Sequence, residues 1–155
     1  MNAIKSFVMI AIASLAIAGG ASAALAATPT FPAFAGPPSK DNPVVRPAAI
    51  IYSGDSSQFF AGAGAHRPGK LHWTVWNSTE GLGSGENWIN NCTPSCANGT
   101  FSQYPVTLKV YRVKRESKFR IFTRLTVTFT GTRPVDSRRT FTWKVSYGDG
   151  FFEIG

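Results

Sequence analysis

Apolar and polar residues alternate along most of the chain after residue 47, with the two-residue period of half-buried β-strands. The clearest example is the stretch 118–130. Its apolar positions share one face of the predicted strand: Phe119, Ile121, Leu125, Val127 and Phe129. Its opposite face carries Lys118, Arg120, Arg124, Thr126 and Thr128. This stretch therefore predicts one long strand with an apolar inner face and a basic, hydroxyl-rich outer face.

Similar patterns recur along the rest of the chain and are separated by turn-forming residues. The predicted strands are 48–52, 58–61, 71–76, 86–91, 106–111, 118–130, 139–147 and 151–154. Val, Ile, Thr and aromatic residues dominate these stretches, and no sustained 3.6-residue period follows residue 47. We predict an all-β domain over 48–155, built as a single antiparallel β-sandwich, with a small β-barrel as the alternative.

The first 23 residues have the pattern of a secretory signal peptide with a helical apolar part. Lys5 precedes an apolar run over 7–18, and a small-x-small site ends at Ala23. We predict cleavage after Ala23, with Ala26 as the alternative site. The run is shorter than the ~20 residues that span a bilayer, so we expect no transmembrane segment in the mature protein. The sequence predicts a protein that is secreted or associated with the cell envelope.

Residues 24–47 form a proline-rich segment between the predicted signal peptide and the β domain. Six of the ten prolines of the chain fall within it. Because proline fixes its own φ and restricts the preceding residue, the segment is expected to be a semi-extended linker. Phe31 and Phe34 are its candidates for docking on the domain or on a partner.

Cys92 and Cys96 are the two cysteines of the chain. Export would place them in an oxidising compartment, and Pro94 between them favours a turn, so we predict a disulfide. Closing so small a loop contributes about 2 kcal/mol, which suits a bridge that shapes a loop. A metal site with His66 and His72 and an exposed redox pair are the alternatives.

Three motifs around these cysteines resemble a family of small secreted actinobacterial proteins of unknown function. They are a W-x-x-W strand over 73–76, a glycine-rich stretch over 81–85 and an N-C-x-P-x-C-A-x-G loop over 91–99. The resemblance covers roughly 48–130. It implies secretion, the disulfide and a β fold, and it provides no catalytic residue.

The sequence contains no recognisable catalytic set. The acidic residues are scattered through turns and loops, and there is no G-x-S-x-G nucleophile elbow. The stretch Gly81-x-Gly83-x-Gly85 lacks the Lys-Ser/Thr and the following helix of a phosphate-binding loop, so it is interpreted as a flexible turn. We assign no catalytic residue, cofactor or metal, and a hydrolase of envelope glycan or ester is retained as an alternative function.

Charge is the most informative functional feature of the sequence. The chain carries a formal net charge of +8, and residues 109–144 hold eleven basic residues against two acidic ones. Alternation predicts a basic sheet face made of Lys109, Lys118, Arg120, Arg124 and Lys144. Further cations are expected at the turns before and after the long strand: Arg112, Lys114, Arg115, Arg133, Arg138 and Arg139. Alternation places Trp76 and Phe122 on outward strand faces, where they are either exposed contacts or covered by the linker or a loop. Trp76 is the candidate aromatic contact.

Such a face attracts polyanions by Coulomb forces and counterion release. The predicted function is therefore non-catalytic binding of anionic polymers or lipid head groups of the cell envelope. Sequence-specific nucleic-acid recognition is not expected, since no recognition helix or RNA-binding strand motif is present. A structural protein that uses the Cys92–Cys96 loop as its interaction surface is the other alternative.

Overall fold

The computed structural model describes residues 27–34, 43–148 and 151–155, and these residues contain eight strands and no helix. The strands are β1 (Ile50–Ile51), β2 (Gln58–Ala61), β3 (His72–Trp76), β4 (Glu80–Asn90), β5 (Phe101–Glu116), β6 (Phe119–Phe129), β7 (Thr140–Gly148) and β8 (Phe151–Ile154). The predicted all-β class is confirmed. The predicted signal peptide and its helix lie outside the described residues.

The strands form one curled antiparallel sheet, a half-barrel, which is closer to the barrel alternative than to the two stacked sheets of a sandwich. The order along the sheet is β1-β2-β4-β5-β6-β7-β8, and β3 pairs with β4. A central meander of β4, β5 and β6 carries most of the pairing. The other edge of β4 is divided, because its first half pairs with β3 and its second half pairs with β2. One long strand thus supports two short ones side by side.

The glycine-rich stretch 81–85 lies inside β4, so its interpretation as a flexible turn is wrong. Its glycines occupy the positions opposite the buried side chains of β5. A Cβ atom on Gly81 would lie 2.7 Å from the ring of Trp76, and one on Gly83 would lie 2.7 Å from the ring of Trp73. The glycines therefore make room on the concave face of the sheet for the bulky side chains of β3.

The N-terminal segment (residues 27–34), predicted as part of a linker, packs on the half-barrel. The Thr30 main chain bonds on both sides to β6, donating to the Arg120 carbonyl and accepting from the Phe122 N–H. Three residues later, the Ala33 carbonyl accepts from the N–H of Ile51 in β1. Phe31 is completely buried in the core. The segment thus connects the β1 edge to β6 across the opening of the curled sheet.

The core is largely aromatic, and it includes two residues that simple alternation places on outward faces. Trp76 is 9% exposed, and its indole Nε1 donates to the Pro29 carbonyl at 2.8 Å. Phe122 is completely buried and lies edge-on to the Trp76 ring, with 5.3 Å between ring centroids. Both faces of this part of β6 are buried, since Ile121, Phe122 and Thr123 are buried in succession. The alternative in which these rings are covered is therefore confirmed, and Trp76 is not the exposed aromatic contact that was predicted.

Candidate functional site

A basic groove lies between the tip of the β5–β6 hairpin and the N-terminal segment. Its volume is about 640 Å³. Four cationic residues line it: Lys114, Arg115, Lys118 and Arg120. Val113 and Phe119 contribute apolar wall, and Thr28 and Thr30 line the side formed by the N-terminal segment. The groove therefore combines a high positive charge with hydroxyl groups and a partly apolar wall.

The hairpin places like charges next to one another. Arg115 of β5 is directly opposite Arg120 of β6, two pairs from the turn at Ser117 and Lys118. Like charges directly opposite on neighbouring strands are destabilising. The Arg120 guanidinium donates to the Ala27 carbonyl, which holds this side chain against the N-terminal segment. A repulsive arrangement that is held in place by a neighbouring segment is a feature expected of a binding site.

A second basic pair lies further along the outer face of the sheet. Arg124 of β6 is directly opposite Lys144 of β7, and Tyr111 of β5 is on the other side of Arg124. The pKa of Tyr111 is lowered, first by its hydrogen bond with Thr126 and to a smaller extent by nearby arginines that include Arg124. Arg124 and Lys144, here called the outer cation pair, therefore add positive charge to the convex face.

Lys109 lies near the outer cation pair, but a carboxylate partly neutralises it. Its Nζ is 2.9 Å from Glu80 Oε2. This is the one salt bridge among residues 27–34, 43–148 and 151–155. Because both side chains are partly exposed, the pair contributes about 0–1 kcal/mol. Lys109 is therefore a weaker anion contact than the sequence suggested.

The five cations predicted as one sheet face are thus divided by the structure. Lys118 and Arg120 belong to the basic groove, whereas Arg124 and Lys144 form the outer pair. Phe122 lies between Arg120 and Arg124 along β6 and is completely buried, so no continuous outward row joins them. Trp76 belongs to neither group because its ring is in the core.

The remaining cations of the basic region also differ from expectation. Lys114 and Arg115, expected at a turn, lie in β5 and line the groove. The cations expected at the turn after the long strand lie in the β6–β7 connection (130–139), at the opposite end of β6 from the groove. They are Arg133, Arg138 and Arg139. Sequence reasoning missed Lys114 and Arg115 as site residues. The alternation of Val113 with Arg112 and Lys114 was the available signal that the strand continues.

The Cys92–Cys96 disulfide is confirmed, with an S–S distance of 2.11 Å. The Asn90 side chain braces the loop: its Nδ2 donates to the Cys96 carbonyl at 2.8 Å, and its Oδ1 accepts from the Cys92 N–H at 2.9 Å. The carboxylate of Asp55 lies 3.8 Å from the Cys96 sulfur. The pKa of Asp55 is lowered to about 2, mainly by hydrogen bonds from Ser57. Asp55 therefore serves to fix its own turn beside the loop.

One acidic residue has a property relevant to the hydrolase alternative. Partial burial raises the pKa of Glu86, as a general acid requires. Glu86 lines a pocket of about 360 Å³ together with Lys70 and His72. No second carboxylate lines that pocket among the residues that the structure describes, whereas glycoside hydrolysis uses two.

Comparisons of the chain with protein-family models, with curated proteins and with solved structures find no match. The resemblance of the cysteine-loop motifs to secreted actinobacterial proteins therefore stays an expectation. In the described part of the chain, no helix is long and apolar enough to cross a membrane.

Proposed function

We propose that this protein is exported and acts without catalysis, by binding anionic polymers in the basic groove. The observation that carries the proposal is the convergence of Lys114, Arg115, Lys118 and Arg120 on one groove with no salt-bridge partner among the described residues. Cations that form no ion pair attract an incoming anion more strongly than cations that a carboxylate already neutralises. The outer cation pair extends the positive surface along the sheet.

The size of the groove favours a chain-like anion. A volume of about 640 Å³ accommodates several linked units. The hydroxyls of Thr28 and Thr30 and the apolar wall at Phe119 suit the uncharged parts of such a chain. Sulfated or carboxylated polysaccharides and polyphosphates of the cell envelope have this chemistry.

Salt-graded elution from immobilised heparin tests the proposal. We expect the wild-type protein to be retained at low salt and released as salt rises, because counterion release drives the binding. We expect the double variant Lys114→Glu/Lys118→Glu to elute at lower salt. The slope of log affinity against log salt concentration should be smaller in magnitude by about 1–2. Both side chains are exposed, so the fold should persist, which the thermal unfolding midpoint checks.

The matched control is Arg67→Glu/Lys70→Glu, which changes the net charge equally on an exposed loop outside the groove. We expect this control to keep most of the wild-type slope. Equal losses in the two double variants would indicate a net-charge effect and contradict a groove site. Retention that neither salt nor charge reversal changes would point instead to the cysteine-loop surface.

A further inference from the structure

A second cavity opens on the concave face of the half-barrel, at the end of the sheet opposite the basic groove. Its volume is about 330 Å³, at the lower end of the range for small-molecule sites, ~300–1,000 Å³. Residues of β2, β4, β6 and β7 line it, together with Tyr52 and the β6–β7 connection. We call it the mouth cavity. The mouth of a β-barrel is a frequent position for ligand sites.

The polar residues of the cavity interrupt an otherwise apolar face. Gln58 and Asn87 occupy positions that point to the same side of the sheet as the buried Phe60 and Phe129. Asn87 is only 3% exposed, and its Oδ1 accepts a hydrogen bond of 2.7 Å from the Tyr52 hydroxyl. Burial raises the pKa of Tyr52 to about 12, so its hydroxyl is a neutral donor at physiological pH. Polar residues that break the pattern around one cavity indicate function.

The other walls of the mouth cavity are aromatic rings. Trp143 lies at the centre of this group, with its ring centroid 4.8 Å from those of Tyr52 and Phe141. Trp143 and Phe141 are only partly buried although they belong to the core face. Both residues line the cavity. The site therefore offers flat apolar surfaces beside amide and hydroxyl groups.

This combination restricts the class of ligand. A purely apolar ligand would displace water from the amide of Gln58 and offer it no hydrogen bond in return. An unsatisfied polar group of this kind costs about 1–3 kcal/mol of binding free energy. An anion would find one cation in the lining, Arg138. A pyranose ring fits both kinds of wall, since its C–H face packs on aromatic rings and its hydroxyls bond to amides. The geometry points to a pyranose-binding site in the mouth cavity, with Trp143 as the packing surface and Gln58 and Asn87 as the polar contacts.

This site is separate from the basic groove and does not depend on the proposed function. The two sites share no lining residue. The pyranose is either a free saccharide or a unit of a longer glycan. A simple glycoside tests whether the cavity binds a pyranose from either source. An oligosaccharide that binds more tightly than the glycoside would indicate that the ligand is a longer glycan.

Indole N–H signals in NMR spectra provide the test. The indoles of Trp73, Trp76 and Trp88 donate to main-chain carbonyls away from the cavity and act as internal references. On titration with methyl β-glucopyranoside, we expect a saturable shift of the Trp143 signal with little change in the other three. Gln58→Ala should weaken the affinity about two- to tenfold. The control Gln103→Ala alters an exposed amide on β5 and should bind like the wild type.

Three results would overturn the inference. The first is a Trp143 signal that stays unchanged with both the glycoside and the oligosaccharide. The second is equal or tighter binding of cyclohexanemethanol, an apolar ring of similar size, which would make the cavity a site for apolar ligands. The third is loss of the shift in Lys114→Glu/Lys118→Glu, which would move sugar binding to the groove. Elution of that variant from heparin at lower salt, with the sugar shift intact, supports both sites independently.

Discussion

At the scale of single residues, the glycine spacing in β4 makes room for the large side chains of the neighbouring chain segment 71–76. A Cβ atom added to Gly85, Gly83 or Gly81 would lie only 2.6–2.7 Å from the nearest side-chain atom of the segment 71–76. These atoms belong to Leu71, Trp73 and Trp76, respectively. Real Cβ contacts are almost never so short, so the tryptophan rings fit only because these positions lack side chains. The sequence pattern W-x-x-W followed by alternating glycines is thus a packing arrangement between neighbouring strands.

Gly81→Ala should therefore destabilise the protein, by about 1–3 kcal/mol. The added methyl group would meet both the Trp76 ring and a Val110 methyl at 2.7 Å, and both belong to the core. Urea unfolding followed by fluorescence measures the change in free energy. Ser84→Ala, on the exposed face of the same strand, is the control and should change stability little. Because Gly→Ala at an unstrained position usually stabilises, a Gly81→Ala protein at least as stable as the wild type would refute this packing.

At the scale of elements, the strands with clear alternation were predictable, and the ones that depend on distant partners were not. β3, β6 and β7, which were predicted from alternation, lie close to their predicted bounds, as do the short strands β2 and β8. β4 is longer than predicted because glycines hide its pattern, and the polar end of β5 was assigned to a turn although it pairs with β6 as far as Glu116. A local sequence pattern does not reveal a strand that is held in place by hydrogen bonds to a neighbouring strand.

The same distinction applies to the candidate site. Composition identified the basic region, and alternation identified Lys118 and Arg120. Their separation from Arg124 was not predictable, because it follows from the burial of Phe122 against Trp76. The groove itself needs the N-terminal segment, which a proline-rich composition had suggested was a loose linker. Long-range pairing of Thr30 with β6 overrides that local tendency.

The N-terminal segment should be an integral part of the folded domain. Phe31→Ala removes a completely buried ring and is expected to cost about 3–5 kcal/mol. Phe34→Ala, three residues later on the same segment, removes a partly exposed ring and should cost clearly less. Unfolding midpoints in urea compare the two variants. Equal, small effects would mean that the segment does not contribute to the core.

At the scale of the whole molecule, positive charge concentrates at the two ends of β6, with a smaller group between them. β6 runs between them for eleven residues, or about 33 Å, from the basic groove to the connection that carries Arg133 and Arg139. The Debye length at physiological salt is about 8 Å, so the two ends act on solvent ions independently. The outer cation pair lies between them on the convex face. A long polyanion that follows this path could contact all three groups, whereas a short one could occupy only the groove.

Ligand length should therefore decide which cations matter. For a short sulfated oligosaccharide that spans only the groove, Arg133→Gln/Arg139→Gln is expected to leave the affinity unchanged, while Lys114→Glu/Lys118→Glu weakens it. For a chain well over 33 Å long, both double variants should weaken binding, because the second contact forms at a high effective concentration once the first is made. Isothermal titration at fixed salt with heparin fragments of defined length measures both cases. If Arg133→Gln/Arg139→Gln weakens short and long fragments equally, the two ends belong to one binding surface, and the groove is not an independent site.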